Sequence, residues 1–205
     1  MTERPWQRWD ERYGRPGWAY GTEPNGFLVS VVDRLPQGRA LCLGGGEGRN
    51  AVFLAQRGLE VTAVDWSAVG LEKANRLAAD QRVRIRTEVA DLHDFTIEPD
   101  AWDVVISIFC HLPPGTRAPV HRAVVAGLKP GGALVLEAYT PRQLEYGTGG
   151  PPTADLMMTL AELETELAGL DFAIACETER TVGEGSCHTG RGAVVQVLGF
   201  KPSAR

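Results

Sequence analysis

The residues with the clearest chemical potential are glycines that follow a short apolar segment. Ala40–Leu43 is apolar, and Gly44, Gly46 and Gly48 come next in a G-x-G-x-G pattern. Glycine lets the backbone turn sharply and lets a ligand approach the main chain without a Cβ in the way. Arg49–Gly58 then has the apolar spacing of a helix that ends on a glycine. The pattern predicts strand, glycine loop and helix, the first half of a βαβ unit that binds a ligand at the carboxyl end of its strand.

An acidic residue stands where a cofactor with a ribose would need one. Glu60–Val64 is an apolar strand candidate, and Asp65 follows it. An acid at the tip of the second strand, ~20 residues beyond the first glycine, accepts hydrogen bonds from ribose hydroxyls. The dinucleotide pattern G-x-G-x-x-G would need a glycine where Arg49 stands, so the spacing favours S-adenosylmethionine over NAD. The alternative is a tight turn between strand and helix that binds no ligand.

Length and composition are those of one globular domain. The chain has 205 residues, of which 43% are hydrophobic and 23% charged, and its net charge is −5. That length allows a sizeable core. We expect an N-terminal arm or lid at 1–38, a cofactor-binding core at 39–140, and a helix plus hairpin at 141–205. An acidic chain without a long block of either sign argues against nucleic-acid binding.

The sequence also indicates where the protein works. It contains no run of about 18 apolar residues, which argues against a membrane span. The first residues lack the apolar core of a signal peptide. The cysteines, Cys42, Cys110, Cys176 and Cys187, are widely spaced and indicate neither a zinc site nor a disulfide framework. We therefore expect a cytoplasmic protein with reduced thiols and no metal.

Strand and helix candidates alternate along the core, and the chain closes on two strand-like runs. Trp102–Phe109 is continuously apolar, as a strand buried on both faces requires. Lys129–Gly132 predicts a turn, and Gly183–Gly190 predicts the loop of a terminal antiparallel hairpin. This order predicts an α/β fold with a doubly wound sheet. The other strand candidates are Val83–Val89, Ala133–Ala138, Phe172–Val182 and Gly192–Phe200.

Two segments near the predicted cleft have two interpretations each. Asp91 comes just past the third strand, where it would accept a hydrogen bond from an adenine amino group or cap a turn of its own loop. The N-terminal arm has Trp6, Trp9 and Tyr13 on one face of a short helix, followed by a loop with Tyr20. Either the arm packs on the domain, or it forms a lid that excludes water from the cleft.

The order of these parts resembles the class I S-adenosylmethionine-dependent methyltransferases over nearly the whole chain. The resemblance implies a Rossmann-like seven-stranded sheet in the order 3-2-1-4-5-7-6 with only strand 7 antiparallel. It also implies S-adenosylhomocysteine as a product. Five segments look like the branch related to tellurite-resistance and thiopurine methyltransferases: Trp9–Tyr13, Tyr20–Asn25, Gly44–Asn50, Gly149–Pro151 and Glu184–Gly190.

The same resemblance implies cofactor contacts. Gly44, Gly46 and Gly48 would lie under the methionine part of the cofactor, and Asp65 corresponds to the ribose-binding acid. The other implied contacts are Asn50 in the loop motif, Trp66 beside the adenine, Asp91 and Leu92 in the adenine-binding segment, and Ile108 and Phe109 beside the sulfonium.

One position departs from the family. Cys42 stands two residues before the first glycine, where the family usually has an acid that helps to hold the methionine end. Glu47 is a candidate to replace that acid. The departure leaves a non-catalytic cofactor-binding or partner-binding domain as an alternative function. The strand-loop-helix arrangement leaves a nicotinamide-dependent oxidoreductase as another, and Arg49 argues against it.

Methyl transfer from a sulfonium is an in-line displacement that needs alignment and exclusion of water more than a nucleophilic side chain. Positioning of this kind contributes ~7–11 kcal/mol in favourable cases. A general base is needed only if the attacking atom is protonated at neutral pH. A thiolate or a chalcogen oxyanion would need no base, but it would need cationic or hydrogen-bonding groups to position it.

Catalytic and substrate-binding candidates come from the segments around the predicted cleft. His188, in the predicted hairpin loop, and His111, after the fourth strand, are the catalytic candidates. The candidates for binding the acceptor are Tyr13, Tyr20, Arg142 and Arg191. Each of these side chains has an ordinary solvated or packing role as its alternative. The chain is too small for a separate substrate domain, so we expect a small-molecule acceptor and a monomer or homodimer.

Overall fold

One seven-stranded sheet carries the fold. The computed structural model describes residues 5–185 and 187–203. The strands are β1 (Arg39–Leu43), β2 (Glu60–Asp65), β3 (Arg86–Val89), β4 (Trp102–Ile108), β5 (Leu128–Tyr139), β6 (Asp171–Glu184) and β7 (His188–Phe200). Their order in the sheet is β3-β2-β1-β4-β5-β7-β6, and β7 runs antiparallel to both of its neighbours. The predicted strand order and the antiparallel seventh strand are confirmed.

Helices cover both faces of the sheet. They are α1 (Pro5–Tyr13), α2 (Gly26–Val31), α3 (Arg49–Gln56), α4 (Ala68–Asp80), α5 (Pro114–Gly127) and α6 (Leu160–Glu166), with short 3₁₀ helices at Val32–Arg34, Pro141–Glu145 and Ala154–Leu156. The predicted N-terminal helix is α1, although the side chain of Trp6 lies outside the described part of the chain. None of the helices in the described ranges is long and apolar enough to cross a membrane.

The central strands alternate between two cores. In β1, Ala40 and Cys42 join the cluster that includes α2 and α3, whereas Leu41 and Leu43 join the cluster that includes α5 and α6. Burial on both faces explains why the central strands are apolar throughout. Because β1 and β4 are adjacent, with helices crossing to opposite faces, a crevice forms at their carboxyl ends.

The third strand is shorter than predicted. It begins at Arg86, whereas the apolar alternation predicted a strand from Val83. Val83 and Ile85 instead pack against a small cluster formed by α3 and α4. Their alternation is therefore a packing pattern that precedes the strand, and the ladder to β2 starts only at the pair Thr62 and Arg86.

The predicted turn at Lys129–Gly132 is wrong, because this segment belongs to β5. Leu128 pairs with Trp102, and the register then shifts so that Ala133 pairs with Val104. The extra residues form an irregularity within the strand, which is how glycines inside a strand commonly act.

The predicted hairpin loop is also wrong in its extent. Strands β6 and β7 continue until Glu184 pairs with His188, so only 185–187 connect them. Gly185 has φ of +65°, and a Cβ on it would lie 2.5 Å from the main chain of Tyr20. The tight turn therefore needs glycine, and it presses the hairpin against the N-terminal arm. As a result, His188 is the first residue of a strand.

A buried network of charges connects the sheet to the surrounding segments. Glu137 of β5 is fully buried and accepts hydrogen bonds from both Nε and Nη2 of Arg180, at 2.6 and 2.8 Å. Arg180 also donates to Glu184 at 2.8 Å, and Glu184 pairs with Arg49 at the start of α3. Asn25, which caps α2, donates to both carboxylates. These contacts hold α2, α3, β5 and the hairpin in one arrangement.

Replacing Arg180 with Met should strongly destabilise the fold. The change leaves Glu137 and Glu184 buried with one cation between them, and breaking a buried pair in this way costs about 3–5 kcal/mol of unfolding free energy. Urea unfolding measures the difference. Arg122→Met is the matched control, because Arg122 is exposed and should change stability by less than about 0.5 kcal/mol. Equal stabilities of the two variants would contradict the role of the network.

Candidate active site

A cavity of about 770 Å³ opens at the carboxyl ends of β1, β2 and β4. We call it the cleft. Its walls come from the glycine loop, the tips of these strands, the N-terminal arm, the hairpin turn and the segment 149–152. A more open groove of about 850 Å³ runs beside β3, away from the glycine loop and both candidate histidines. Most predicted site residues line the cleft: Tyr13, Tyr20, Gly44, Gly46, Asn50, Asp65, Trp66, Asp91, Leu92, Ile108, Phe109, His111 and His188.

Asp65 is oriented by the glycine loop itself. Its Oδ2 accepts a hydrogen bond from the amide of Gly46 at 2.8 Å, and its Oδ1 accepts one from the amide of Ser67 at 2.8 Å. Burial raises the pKa of Asp65, while the bonds from Ser67 and Gly46 oppose that rise. A carboxylate has about four acceptor positions, so Asp65 can still accept hydrogen bonds from a ligand in the cleft.

Asp91 caps a turn of its own loop and also lines the cleft. Its Oδ1 accepts a hydrogen bond from the amide of His93 at 2.8 Å, which caps the turn after β3. Asp91 and Leu92 also line the cleft on the side of Asp65 and Trp66. The turn fixes the carboxylate, and the other carboxylate oxygen is available for a ligand.

Gly48 does not lie on the cleft, although the loop pattern places it under the methionine part of a cofactor. Its φ is +89°, and a Cβ at this position would come within 2.5 Å of the Cβ of Ala74 in α4. The third glycine of the pattern therefore allows close packing of the loop on α4. Gly44 and Gly46 are the members of the pattern that face the cleft.

The N-terminal arm is fastened over the glycine loop. Lys73 of α4 donates hydrogen bonds to the carbonyls of Tyr13, at 2.9 Å, and Gly17, at 2.5 Å, and it pairs with Glu47. Glu47 in turn accepts a hydrogen bond from the amide of Ala19 at 2.8 Å. The arm therefore packs on the domain and covers the cleft at the same time.

The position of Cys42 provides no charge for a ligand. The thiol is buried within β1, and burial raises its pKa to about 12, so it stays neutral. Glu47, the candidate replacement, is already paired with Lys73 and with the amides of Ala19 and Tyr20. Both oxygens of Glu47 are therefore used to fasten the arm.

The other end of the cleft is lined by aromatic and imidazole rings. Phe109, just past β4, has φ of +52° and stacks on Tyr139 with ring centroids 4.6 Å apart. The ring of His188 lies 4.8 Å from Phe109 and 4.6 Å from Tyr20. A left-handed backbone is uncommon for a large side chain, and such conformations cluster at functional sites. The strained residue thus sits where the arm, the sheet and the hairpin meet.

His111 has an architectural role in this arrangement. Its Nδ1 lies 2.9 Å from the carbonyl oxygen of Leu156, which can only accept, so Nδ1 carries the proton. Its Nε2 lies 3.4 Å from the amide of Tyr139, which donates to it. Burial lowers the pKa of His111 to about 4, so the ring is neutral at neutral pH. Both nitrogens connect backbone segments, and neither is directed at a ligand.

His188 is buried at the base of the hairpin and differs from His111 in its bonding. Its Nδ1 is buried and has no hydrogen-bond partner among the described residues. Burial lowers its pKa to about 3, so the imidazole is neutral and a weak base at neutral pH. A buried nitrogen without a hydrogen-bond partner makes folding less favourable. Such groups in native proteins often have a functional reason, such as binding a ligand.

Arg142 and Arg191 do not line the cleft, so the structure does not support their predicted contact with the acceptor. Both arginines pair with Glu179 on β6, and their side chains are 60% and 67% exposed. Arg191 follows His188 along an extended strand whose residues face alternate sides, so it points away from the cleft. Glu179 fixes both guanidinium groups at the outer surface.

The sequence patterns do not single out several residues of the cleft. Three of these residues, Arg12, Cys110 and Cys187, line the cleft. A fourth, Lys73, binds the arm that covers the cleft. Arg12 lies within the Trp9–Tyr13 motif, which is the only signal that could have indicated it. Lys73 gives no signal, because its partner Glu47 is 26 positions away in the chain.

Replacing Lys73 with Met should loosen the arm. The change removes the bonds to the carbonyls of Tyr13 and Gly17 and leaves Glu47 without its cation. Charged hydrogen bonds contribute about 1.5–3 kcal/mol, so amides of residues 14–21 should exchange with solvent about tenfold to a hundredfold faster. Hydrogen exchange measures this effect. Lys129→Met, which breaks a partly exposed pair near the amino ends of β4 and β5, should leave that segment protected. Unchanged exchange in Lys73→Met would contradict the fastening.

His188 and His111 should make the protein sensitive to acid. Burial lowers the pKa of His188 to about 3, whereas a histidine in the unfolded chain titrates near 6.5. The unfolded chain therefore takes up a proton that the folded protein does not. Unfolding free energy should fall as pH drops from about 6.5 towards 3, by about 1.4 kcal/mol per pH unit for His188. His111 is partly exposed and should add a smaller slope in the same direction.

Urea unfolding at several pH values between 7 and 4.5 measures this slope. His188→Asn should reduce it, because the variant has one fewer group that protonates only on unfolding. His93→Asn is the control, since His93 is exposed and its replacement should leave the slope unchanged. A slope that is equal in the wild type and in His188→Asn would show that His188 does not stay neutral in the folded protein.

Comparisons with known proteins agree with this geometry. A family model described as a methyltransferase domain matches residues 40–132, which contain the glycine loop, Asp65 and Phe109. The probable thiol methyltransferase 2 of Arabidopsis thaliana is 27% identical over 179 residues, which cover 84% of this chain and 76% of that protein. The 2-heptyl-1-hydroxyquinolin-4(1H)-one methyltransferase of Mycobacteroides abscessus is 24% identical, covering 67% of this chain and 62% of that protein.

Solved structures share the fold. TehB from Haemophilus influenzae superposes with a TM-score of 0.71 at 16% identity, covering 96% of this chain and 66% of that one. A structure described in connection with the conversion of a disulfide bond into a thioacetal group during echinomycin biosynthesis gives 0.78 at 19% identity, covering 97% and 93%. Taken with the strand order and the glycine loop, these similarities support a class I S-adenosylmethionine-dependent methyltransferase: a methyltransferase domain is matched at residues 40–132, and the whole sheet has the methyltransferase fold.

Proposed function

We propose that the protein transfers the methyl group of S-adenosylmethionine to a small-molecule acceptor that is already an anion, such as a thiolate or a chalcogen oxyanion. The observation that carries this proposal is that the ring-lined end of the cleft, within the described residues, has neither a free carboxylate nor a strongly basic imidazole. Asp65 and Asp91 lie at the other end, and both oxygens of Glu47 are bound to Lys73 and the arm. His188 and His111 are neutral and weakly basic. An acceptor with a firmly held proton would find no group to remove it.

The cofactor end of the cleft suits S-adenosylmethionine. Gly44 and Gly46 present backbone without side chains to the methionine part, beside Asn50. Asp65 has acceptor positions left for ribose hydroxyls, and its amide bonds hold it in place. The adenine contacts that we assign are Trp66, Asp91 and Leu92, and the contacts beside the sulfonium are Ile108 and Phe109. The fit is poorest at the ammonium group, because Cys42 is neutral and the charge of Glu47 is already paired with Lys73.

The protein's own contribution to the reaction is positioning. S-adenosylmethionine supplies an electrophilic methyl group on a good leaving group. Tyr13 and Tyr20 cover the cleft and exclude water. Phe109, which stacks on Tyr139, forms the wall between the glycine-loop end and the ring-lined end of the cleft. Holding two reactants in line lowers the barrier by ~7–11 kcal/mol in favourable cases, so no nucleophilic side chain is required.

The names of the relatives support an acceptor that ionises readily. The relative from Arabidopsis is named as a thiol methyltransferase, and thiols ionise near pH 8.5. A thiolate is present in part at neutral pH, so an enzyme without a base can still use it. The resemblance to the tellurite-resistance and thiopurine branch points to the same kind of acceptor.

Calorimetric titration with S-adenosylhomocysteine tests the cofactor assignment. Asp65→Ala should weaken binding at least about tenfold, since it removes a charged hydrogen-bond acceptor and two supports of the loop. Asp65→Asn keeps the shape and should retain part of the affinity. Asp33→Ala is the control, because Asp33 is exposed and pairs only with Arg57 at the surface. Equal binding by Asp65→Ala and wild type would refute the assignment.

A methyl-transfer assay with thiols and with selenite and tellurite tests the acceptor class. The rate should follow ionisation of the acceptor as pH rises, because no enzyme group titrates in its place. Tight cofactor binding with no transfer to any acceptor would favour the non-catalytic alternative. Saturable binding of NAD, with none of S-adenosylmethionine, would favour the oxidoreductase instead.

A further inference from the structure

The charges that line the cleft are almost all neutralised by partners. Arg49 pairs with Glu184, and Glu47 pairs with Lys73. Asp65 is held by backbone amides at the cofactor end. Two arginines of α1, Arg8 and Arg12, line the cleft, and no carboxylate of the described residues pairs with either. Arg8 is exposed, whereas Arg12 is half-buried. Its guanidinium instead lies 4.9 Å from the ring of Trp9 and donates a hydrogen bond to the hydroxyl oxygen of Tyr20.

This hydrogen bond determines what the hydroxyl of Tyr20 can do. A guanidinium has donors and no acceptor, so Tyr20 cannot return its own hydrogen to Arg12. Burial raises the pKa of Tyr20, while Arg12 opposes the rise, and the group remains a phenol at neutral pH. Tyr20 lines the cleft. Its O–H is therefore free to donate to a ligand there, with a positive charge directly behind it.

The pair lies next to the rings where the reaction would occur. The Tyr20 ring is 4.6 Å from that of His188, and His188 is 4.8 Å from Phe109 at the tip of β4. His188 is neutral, so it does not add to or oppose the charge of Arg12. Contacts from Arg12 to Tyr20, then to His188 and then to Phe109 thus connect Arg12 to the tip of β4.

We propose that Arg12 and Tyr20 of the N-terminal arm form the anion-holding part of the acceptor site, in which Tyr20 donates its hydroxyl hydrogen to the acceptor and Arg12 supplies the charge. The inference rests on the proposed methyl transfer and adds the residues that select an anion. The arm is then a part of the acceptor site as well as a cover.

The reaction itself predicts how the pair acts. The bond between the methyl carbon and sulfur breaks as the bond between that carbon and the acceptor forms. The acceptor's negative charge and the sulfonium's positive charge both disappear, and no proton moves. Arg12 therefore stabilises the bound anion more than the transition state. Its loss should raise KM for anionic acceptors and leave kcat unchanged or higher, because binding of the ground state is weakened more than binding of the transition state. Arg12 is therefore a positioning residue.

Binding of a matched pair of probes tests the inference without any need for turnover. The protein is saturated with S-adenosylhomocysteine and titrated by calorimetry with benzenethiolate, and then with toluene, which has a methyl group in place of the sulfur. The wild type should prefer the thiolate. Arg12→Met should weaken thiolate binding about tenfold to a hundredfold and leave toluene binding unchanged, as expected for loss of a charge-assisted contact. Tyr20→Phe should show a smaller loss of the same kind.

Two further variants separate this role from a structural one. Arg12→Lys keeps the charge and should restore part of the preference for thiolate. Arg15→Met removes an exposed arginine of the same arm and should change nothing. An unchanged thiolate affinity in Arg12→Met, or a wild type that does not prefer thiolate, would overturn the inference while cofactor binding stays intact. Failure to bind S-adenosylhomocysteine at all would overturn the proposed function and this inference together.

Discussion

The pairing of Arg180 with two buried carboxylates, Glu137 and Glu184, is the interaction on which the rest of the structure depends. A buried charge that loses its partner destabilises a protein by several kcal/mol, so every segment that supplies a partner is held in place. Asn25 brings in α2, and Arg49 brings in the helix that begins at the glycine loop. The glycine loop, which would hold the cofactor, and the hairpin that carries His188 are thereby held in fixed positions relative to the sheet.

A second buried ion pair, Lys73 with Glu47, joins the N-terminal arm to the glycine loop and α4. Glu47 lies within the glycine loop, yet both of its oxygens fasten the arm, one through Lys73 and the other through the amide of Ala19. The cover of the cleft therefore depends on the same loop that lines the cleft. Glu47, the candidate to replace the acid that is usual at the position of Cys42, is already bound to the arm. It places Arg12 and Tyr20, which belong to the arm, against the hairpin.

Much of the fold could be predicted, because the buried faces of helices and strands require apolar residues at regular spacings in the sequence. The cleft at the carboxyl ends, and the roles of the glycine loop and Asp65 in forming it, follow from local patterns. The strand order came from the resemblance to the class I methyltransferases. The errors arose where pairing with a distant strand decided the outcome. Lys129–Gly132 has the composition of a turn but stays in β5, since its neighbours pair with β4 on either side of a register shift. Gly183 and Gly190 lie in strands for the same reason, because the hairpin ladder extends past them.

The sequence by itself determined the class of fold and the end of the cleft formed by the glycine loop and Asp65, because those depend on residues that are close together in the chain. Gly44, Gly46 and Asp65 meet through a single strand-loop-helix unit. The ring-lined end depends on contacts between residues far apart, such as Tyr20 with His188, and no local pattern specifies them. Only the tertiary structure could turn Arg191 outwards to Glu179, leave Arg12 without a carboxylate partner among the described residues, and bury His188 as a neutral ring. Partners and burial set the charge and direction of a side chain, and both are properties of the folded chain.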